Sequence, residues 1–399
     1  SLEGLEWIEV CENVITLPEL PLSLKRLECN GCLLESLPEL PQLLRELECN
    51  NYPLTTLPEL PRSLTDLNCS ECPLLITFLE LPQSLTRLYC SYCPSLQYLP
   101  ELPQSLIQLD CYNCPLLTSF PDLPQSLRHF DCSYCPSLQY LPDLPQSLKH
   151  FDCSYCPSLQ YLPDLPQSLI HLDCSNCHLL TALSDLPQSL IYFWCSNCPL
   201  LTALSELPQS LKHLDCSNCP LLTTLFELPQ SLTKLNCSNC PLLTTLPELP
   251  QLLTVLDCSN CISLQYLPKL PQSLIHLWCT YCPLTTLPKL PLSLTRLDCS
   301  NCPLLTTIPE LPQSLKYFNC NNCTSLVFIP ESAVKYISPD ILETINSNYL
   351  KWIKKQTLSY FSSTHGVVYE DLVKKTWHPS RVVDWCWDTE EVKWFKTLQ

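Results

Sequence analysis

Leu211-Lys212-His213-Leu214-Asp215-Cys216-Ser217-Asn218-Cys219 is the stretch that decides the fold. Its form, L-x2-L-x-C-x2-C, returns down most of the 399-residue chain. Its leading leucines are Leu24, Leu44, Leu64, Leu85, Leu106, Leu127, Leu148, Leu169, Leu190, Leu211, Leu232, Leu253, Leu274, Leu294 and Leu315. The steps are 21 residues, or 20 after Leu24, Leu44 and Leu274. A fixed period of this size marks a solenoid, in which no unit buries its apolar side alone and each must stack on its neighbours.

Within the phrase, apolar and polar residues alternate. Leu214 and Cys216 turn one way, and His213, Asp215 and Ser217 turn the other. Alternation of period two predicts a short strand. Successive strands stack in parallel about 4.8 Å apart, with the apolar set in the core and the polar set on an open face. The other half of each unit is punctuated by proline, as at Leu246-Pro247-Glu248-Leu249-Pro250. Proline breaks helices and holds its predecessor extended, so this side is expected to be extended or polyproline-like. The chain has only three glycines, so the turns do not rely on them.

The spacing L-x2-L-x-L-x2-N/C, carried here by units such as Leu211–Cys219, resembles the leucine-rich repeat family. The match runs over about residues 5 to 330, and Cys219 and its equivalents take the N/C position. The L-P-E-L-P-x-S-L half looks most like the repeats of bacterial effectors. Two departures stand out: the third leucine is almost always Cys, and most units are one residue longer. The resemblance implies a curved leucine-rich repeat solenoid with a parallel β-sheet on its concave face, where partners of the family usually bind.

Three segments are expected. Residues 1–23 form a degenerate first unit (Leu5, Ile8, Val10, Asn13) that could cap the array. Residues 24–330 hold 15 units of 20–21 residues. Residues 331–399 lose the period; a helix start at Ser338-Pro339-Asp340 precedes helically spaced Ile341, Leu342, Ile345, Leu350 and Ile353. This tail carries Trp352, Trp377, Trp385, Trp387 and Trp394 and reads as a small helical C-terminal cap, or alternatively a docking segment.

The net charge of −17 is uneven. The tail has nine basic and nine acidic side chains, leaving 13 basic against 30 acidic in the array. Such an array disfavours nucleic acid or an anionic membrane as partner and suits a basic protein surface, or simple solubility. One acidic column follows the Pro-rich half, from Glu19 through Asp122, Asp143 and Asp164 to Glu248, and reads chiefly as a guard against lateral aggregation. Neither a leader nor a long apolar run is evident, and a start at Ser1 fits removal of an initiator methionine, though a trimmed chain would look the same. A cytoplasmic site is expected.

Of 31 cysteines, most fall in the two columns of the phrase. Both are core positions, so buried reduced thiols are the first reading. C-x2-C is also half a zinc site, and rungs about 4.8 Å apart lie within disulfide range, so metal and disulfide readings stay open beside it. No metal or cofactor is expected.

Candidate binding residues lie on the strand face. His129, His150, His171, His213 and His276 share the column before the second apolar residue, and Asp131, Asp152, Asp173 and Asp215 share the column after it. Each of the first four histidines sits two residues from an aspartate, so a protonated imidazole would relieve the stacked carboxylates. The alternative is a solvated polar face copied by duplication, as residues 127–147 and 148–168 suggest. Tyr192, Trp194 and Trp278 interrupt these columns with rings of the kind that anchor interfaces.

The stretch Trp377-His378-Pro379-Ser380-Arg381, with Trp385-Cys386-Trp387-Asp388, looks like tails of repeat proteins of large DNA viruses of amoebae, which would imply a protein of host cytoplasm or virion. Cys386-Trp387-Asp388 also has the Cys-x-Asp spacing of ubiquitin-ligase domains attached to effector repeats, but about 70 residues of tail are too few for that domain. No phosphate loop, nucleophile elbow or zinc-protease histidine pair appears, so the chain is read as no enzyme. Two functions remain: a scaffold binding a protein partner on the concave face, or a structural, self-assembling component, for instance of a virus particle.

Overall fold

The computed structural model describes residues 4–10, 14–32, 34, 36–51, 53–183, 185–204, 206–336 and 342–352. The chain divides into two compact units, Ser1–Leu243 with Pro250–Leu253, and Thr244–Leu249 with Thr254–Gln399. Each is built from the expected leucine-rich repeat solenoid.

The first unit carries twelve three-residue strands: β1 Trp7–Glu9, β2 Arg26–Glu28, β3 Glu46–Glu48, β4 Asp66–Asn68, β5 Arg87–Tyr89, β6 Gln108–Asp110, β7 His129–Asp131, β8 His150–Asp152, β9 His171–Asp173, β10 Tyr192–Trp194, β11 His213–Asp215 and β12 Lys234–Asn236. The second carries β13 Val255–Asp257, β14 His276–Trp278, β15 Arg296–Asp298, β16 Tyr317–Asn319 and the short helix α1 Glu331–Val334. Within each unit neighbouring strands are parallel and follow the order of the chain. Equivalent repeat positions face one another, as in His129↔His150, Phe130↔Phe151 and Asp131↔Asp152. Every column of the sequence therefore becomes a column on the sheet.

The middle residue of each strand from β2 onward is buried, and so is the cysteine that follows it. Leu148, Phe151, Cys153, Cys156 and Leu159 show the pattern of one unit, none more than 2% exposed. Burying a leucine contributes about 1.5–3 kcal/mol, so the core leucines dominate the stability of each unit. Among the described residues of the array, the Pro-rich side forms no helix, as its prolines dictate.

Three devices lock a unit to its neighbour. In the turn after the strand, the residue before the second cysteine adopts a left-handed conformation. Asn does so in most units (Asn218, φ 55°), Tyr in four (Tyr134, φ 55°), and Gly31 (φ 66°) and Glu71 (φ 59°) once each. Asn tolerates this region better than other non-glycine residues, so the turns avoid glycine by using Asn. The turn also hands backbone bonds to the next unit, as from Tyr134 N–H to the Ser154 carbonyl at 2.8 Å. Second, the serine of the Pro-x-Ser-Leu turn donates to the leading-leucine carbonyl one unit back: Ser126 to Leu106 at 2.6 Å, Ser147 to Leu127 at 2.5 Å, Ser231 to Leu211 at 2.7 Å. Third, the thiols donate. Cys135 Sγ reaches the Cys111 carbonyl at 3.4 Å and Cys156 Sγ the Cys132 carbonyl at 3.3 Å, while Cys111 Sγ reaches forward to the Asp131 carbonyl at 3.3 Å.

In the second unit, residues 342–352 are helical, with Ile345 buried and Trp352 packed on Phe328 at 5.3 Å between centroids. The Ser338-Pro339-Asp340 start, Ile341, Ile353, Trp377, Trp385, Trp387, Trp394 and the Cys386-x-Asp388 motif lie outside the described residues. No helix among the described residues is long and apolar enough to cross a membrane.

Candidate functional site

The strand face of the first unit holds the candidate columns in register, and there the rings stack. His129 lies on His150 with centroids 4.4 Å apart and planes 9° apart, His150 on His171 at 4.2 Å, and His171 on Tyr192 at 4.3 Å. Tyr192 lies nearly parallel to Trp194 at 5.8 Å and meets the His213 ring edge-on at 4.7 Å. The parallel register places one ring per strand, so the strand spacing itself sets the stacking distance.

Two residues along each strand runs the carboxylate row. Asp131 Oδ1 accepts the Ser133 backbone N–H at 2.9 Å and its hydroxyl at 2.7 Å. Asp152 and Asp173 each accept the N–H of the serine two residues on, both at 2.9 Å, and Asp215 accepts the Ser217 N–H at 3.0 Å. Each aspartate therefore caps the turn that ends its strand. Ring ledge and carboxylate row enclose an open groove of about 330 Å³, lined among others by Asp110, Asp131, His150, Asp152, Asp173 and Trp194.

Four expectations are corrected here. The serines after the aspartates are not an exposed column: Ser133, Ser154, Ser175 and Ser217 are buried, because capping turns them inward. Tyr192, Trp194 and Trp278 are half-buried rather than exposed: Tyr192 and Trp194 stack on neighbouring rings, and Trp278 meets His276 edge-on. Four of the imidazoles are held toward the neutral form, while His129 acts to lower Asp110. Burial, aided by the neighbouring His171, His129 and Lys149, pushes His150 down to about 4, and burial also lowers His171, His213 and His276. Burial, opposed by the two bonds from Ser133 and aided by Asp152 and Asp110, pushes Asp131 up to about 6; Asp173 and Asp110 rise mainly for the same reason. Finally, the structure does not gather every candidate into the groove. Trp278 and His276 lie on β14 in the other unit, ring against ring at 5.3 Å.

Some features of the face were not singled out from sequence. Gln108 and Asp110 extend the groove, with Gln108 Nε2 donating to Asp110 Oδ2 at 2.9 Å. On β2 and β3, Arg26 bonds three carboxylates: Glu28 at 2.5 Å, Glu46 at 2.6 Å and Glu48 at 2.8 Å. Arg87 pairs with Asp66 one strand back. Mixed signs in the column Arg26, Glu46, Asp66, Arg87 were the available signal. Tyr89 replaces the capping aspartate on β5, and the buried Ser91 hydroxyl that would have used it has no hydrogen-bond partner among the described residues.

Several thiols beneath the groove are poor nucleophiles and poor ligands, whereas a bond with the Cys299 thiol lowers Cys323 in the second unit. Burial drives Cys93, Cys114 and Cys135 up to about 12 and the fully buried Cys111 and Cys132 well above the usual thiol range. A thiol that stays protonated neither attacks nor coordinates readily. Among the described residues no cluster of His, Cys, Asp or Glu could hold a metal ion.

Residues 210–232, 231–253 and 293–315 match the model of the leucine-rich repeat family. YopM from Yersinia pestis, a leucine-rich effector protein, is 36% identical over 77% of this chain and 85% of its own, with a TM-score of 0.65. YopM from Yersinia enterocolitica WA-314 is 31% identical over 82% of this chain and 90% of its own, with a TM-score of 0.41. A leucine-rich repeat protein from Bacteroides ovatus ATCC 8483 is 19% identical over 66% of this chain and 81% of its own, with a TM-score of 0.43. Among curated proteins none matches the chain.

Proposed function

Because the chain belongs to the leucine-rich repeat family, as its likeness to YopM of Yersinia pestis shows, we propose that it is a non-enzymatic scaffold that captures a protein partner on the strand face of its first unit. The observation that carries this reading is the groove between the stacked rings His129–His150–His171 and the row Asp131–Asp152–Asp173, closed by Trp194, with Tyr192 continuing the ring stack beyond it. Rings already held by stacking lose little freedom when a partner packs against them, and Tyr and Trp are the usual anchors of such surfaces. The groove is open and shared by several strands, which suits an extended or convex protein surface better than a small molecule. The nucleophiles nearby serve structure: Ser133 and Ser217 hydroxyls cap their aspartates, and the thiols bond carbonyls. A reducing compartment, and with it the cytoplasmic placement, belongs to the same proposal.

The test is affinity capture from the cells that make the protein. Wild type is run beside Tyr192→Ala/Trp194→Ala and beside Phe226→Ala, an exposed apolar position away from the strands. A discrete partner held by wild type and Phe226→Ala, and weakened by about tenfold or more in the double variant, is expected if two anchors each contribute 1 kcal/mol or more. Circular dichroism confirms that each variant is folded. Equal capture by all three proteins would refute the reading, and recovery of the chain alone would favour self-assembly instead.

A further inference from the structure

Resting on that docking face, the geometry points to the chemistry of the partner: a protein segment that presents arginine side chains, whose guanidinium groups pair with Asp131, Asp152 and Asp173. These three carboxylates lie on successive strands in register, so they recur about every 4.8 Å along the groove. Each spends Oδ1 on its own serine turn. None of the three stands in an ion pair among the described residues. The rings beside Asp152 and Asp173 are held toward the neutral form, since burial lowers the proton affinity of His150 and His171.

The same sheet supplies the precedent. On β2 and β3 an arginine lies on the strand face and bridges Glu28 of its own strand and both Glu46 and Glu48 of the next. Its three nitrogens each meet a different carboxylate, a spread of donors that the planar guanidinium offers and an ammonium does not. On β7 to β9 the acceptors are present, and among the described residues no guanidinium pairs with them. Trp194, which pairs in register with Asp173 and lines the same groove, offers a ring beside a guanidinium bound at Asp173. The exposed basic residues nearest the ledge, Arg128, Lys149 and Lys212, each precede a histidine of the column and pair with none of these aspartates. The excess of 30 acidic over 13 basic groups in the array adds long-range attraction for such a segment.

The test titrates the full chain with a synthetic octapeptide of alternating arginine and serine. The control is the same peptide with citrulline, the neutral isostere of arginine. Asp131→Asn/Asp152→Asn/Asp173→Asn removes the acceptor charges while keeping the caps, because Asn236 and Asn68 already cap their turns through Oδ1 at 3.1 and 3.2 Å. Asp122→Asn/Asp143→Asn/Asp164→Asn removes equal charge from the exposed column of the Pro-rich side. We expect calorimetric binding of the arginine peptide to wild type, about tenfold weaker for the strand-face triple variant and within about twofold for the other. Equal loss in both variants, equal binding of the citrulline peptide, or no binding at all would each overturn the inference. The scaffold reading fails separately: a captured partner that needs Trp194 but ignores the strand-face triple variant leaves the scaffold standing and removes only the basic partner.

Discussion

On β2 and β3, Glu28, Glu46 and Glu48 share the guanidinium of Arg26; on β7 to β9, Asp131, Asp152 and Asp173 occupy the same sheet face with no cation paired to them among the described residues. The cores beneath the two stretches are built alike, with Leu47 and Leu172 both fully buried in the middle of their strands, although β7 and β8 bury Phe130 and Phe151 at that position. The difference in charge lies in the two outward positions of each strand. In the first stretch those positions close on themselves. In the second, stacked rings and capped carboxylates leave charge uncompensated, at a cost visible in the raised proton affinity of Asp131.

The largest expected effect tests whether the cores are equivalent. Leu47→Ala and Leu172→Ala should each cost about 2–5 kcal/mol in denaturant melts. A gap well beyond about 1 kcal/mol between them would break the comparison, since the two stretches would then differ in packing as well as in surface chemistry.

Next come the caps. Ser133→Ala should cost about 1 kcal/mol, because its hydroxyl bonds Asp131. Ser91→Ala should be neutral or stabilising, because its buried hydroxyl has nothing to lose. Thermal melts of the two variants side by side separate the outcomes, and equal losses would contradict the capping role of the aspartates.

Smaller effects probe the charges. Burial raises Asp131 to about 6, so its stabilising contribution is complete below its ordinary carboxylate range and is lost as pH rises through about 6. Asp131→Asn should therefore raise Tm at pH 8, and the gain should vanish by about pH 4. Glu48→Gln, which removes a partner of Arg26, should instead lower Tm slightly at pH 8, by less than about 1 kcal/mol in stability. His150 has the opposite sign to Asp131. Its affinity is depressed to about 4, so its contribution is complete above the ordinary imidazole range and is lost as pH falls through about 4. His150→Asn should thus be more harmful at pH 8 than at pH 4.5, and a cost independent of pH would show that the stacked ring is not held neutral.

Much of the fold was legible in the sequence because the period and the alternation answer one question each. The step between Leu127 and Leu148 fixes which residues stack, and the alternation at His213–Ser217 fixes which face inward. The cysteine columns were legible as core for the same reason, and the structure adds what spacing could not: that Cys135 and Cys156 donate to carbonyls of the preceding unit. The site was legible only as columns. A separation of two residues between His150 and Asp152 does not tell whether the imidazole turns to its own aspartate or to the ring on the next strand. Stacking wins, since a neighbouring ring lies 4.2 Å away and the aspartate is already taken by its turn. Likewise, the serine after the aspartate looks outward by alternation alone, but the capping bond ends the strand there and turns it in. The division of the chain near residues 243–254 leaves no mark on the period, which runs through it unchanged.

The most direct test of the docking face is site-specific photocrosslinking in cells, with a benzophenone amino acid placed at Trp194 in one variant and at Phe226 in another. The scaffold reading predicts one discrete protein adduct from position 194 and none of that protein from position 226. The same adduct from position 226, or none from position 194 in a folded variant, would contradict it.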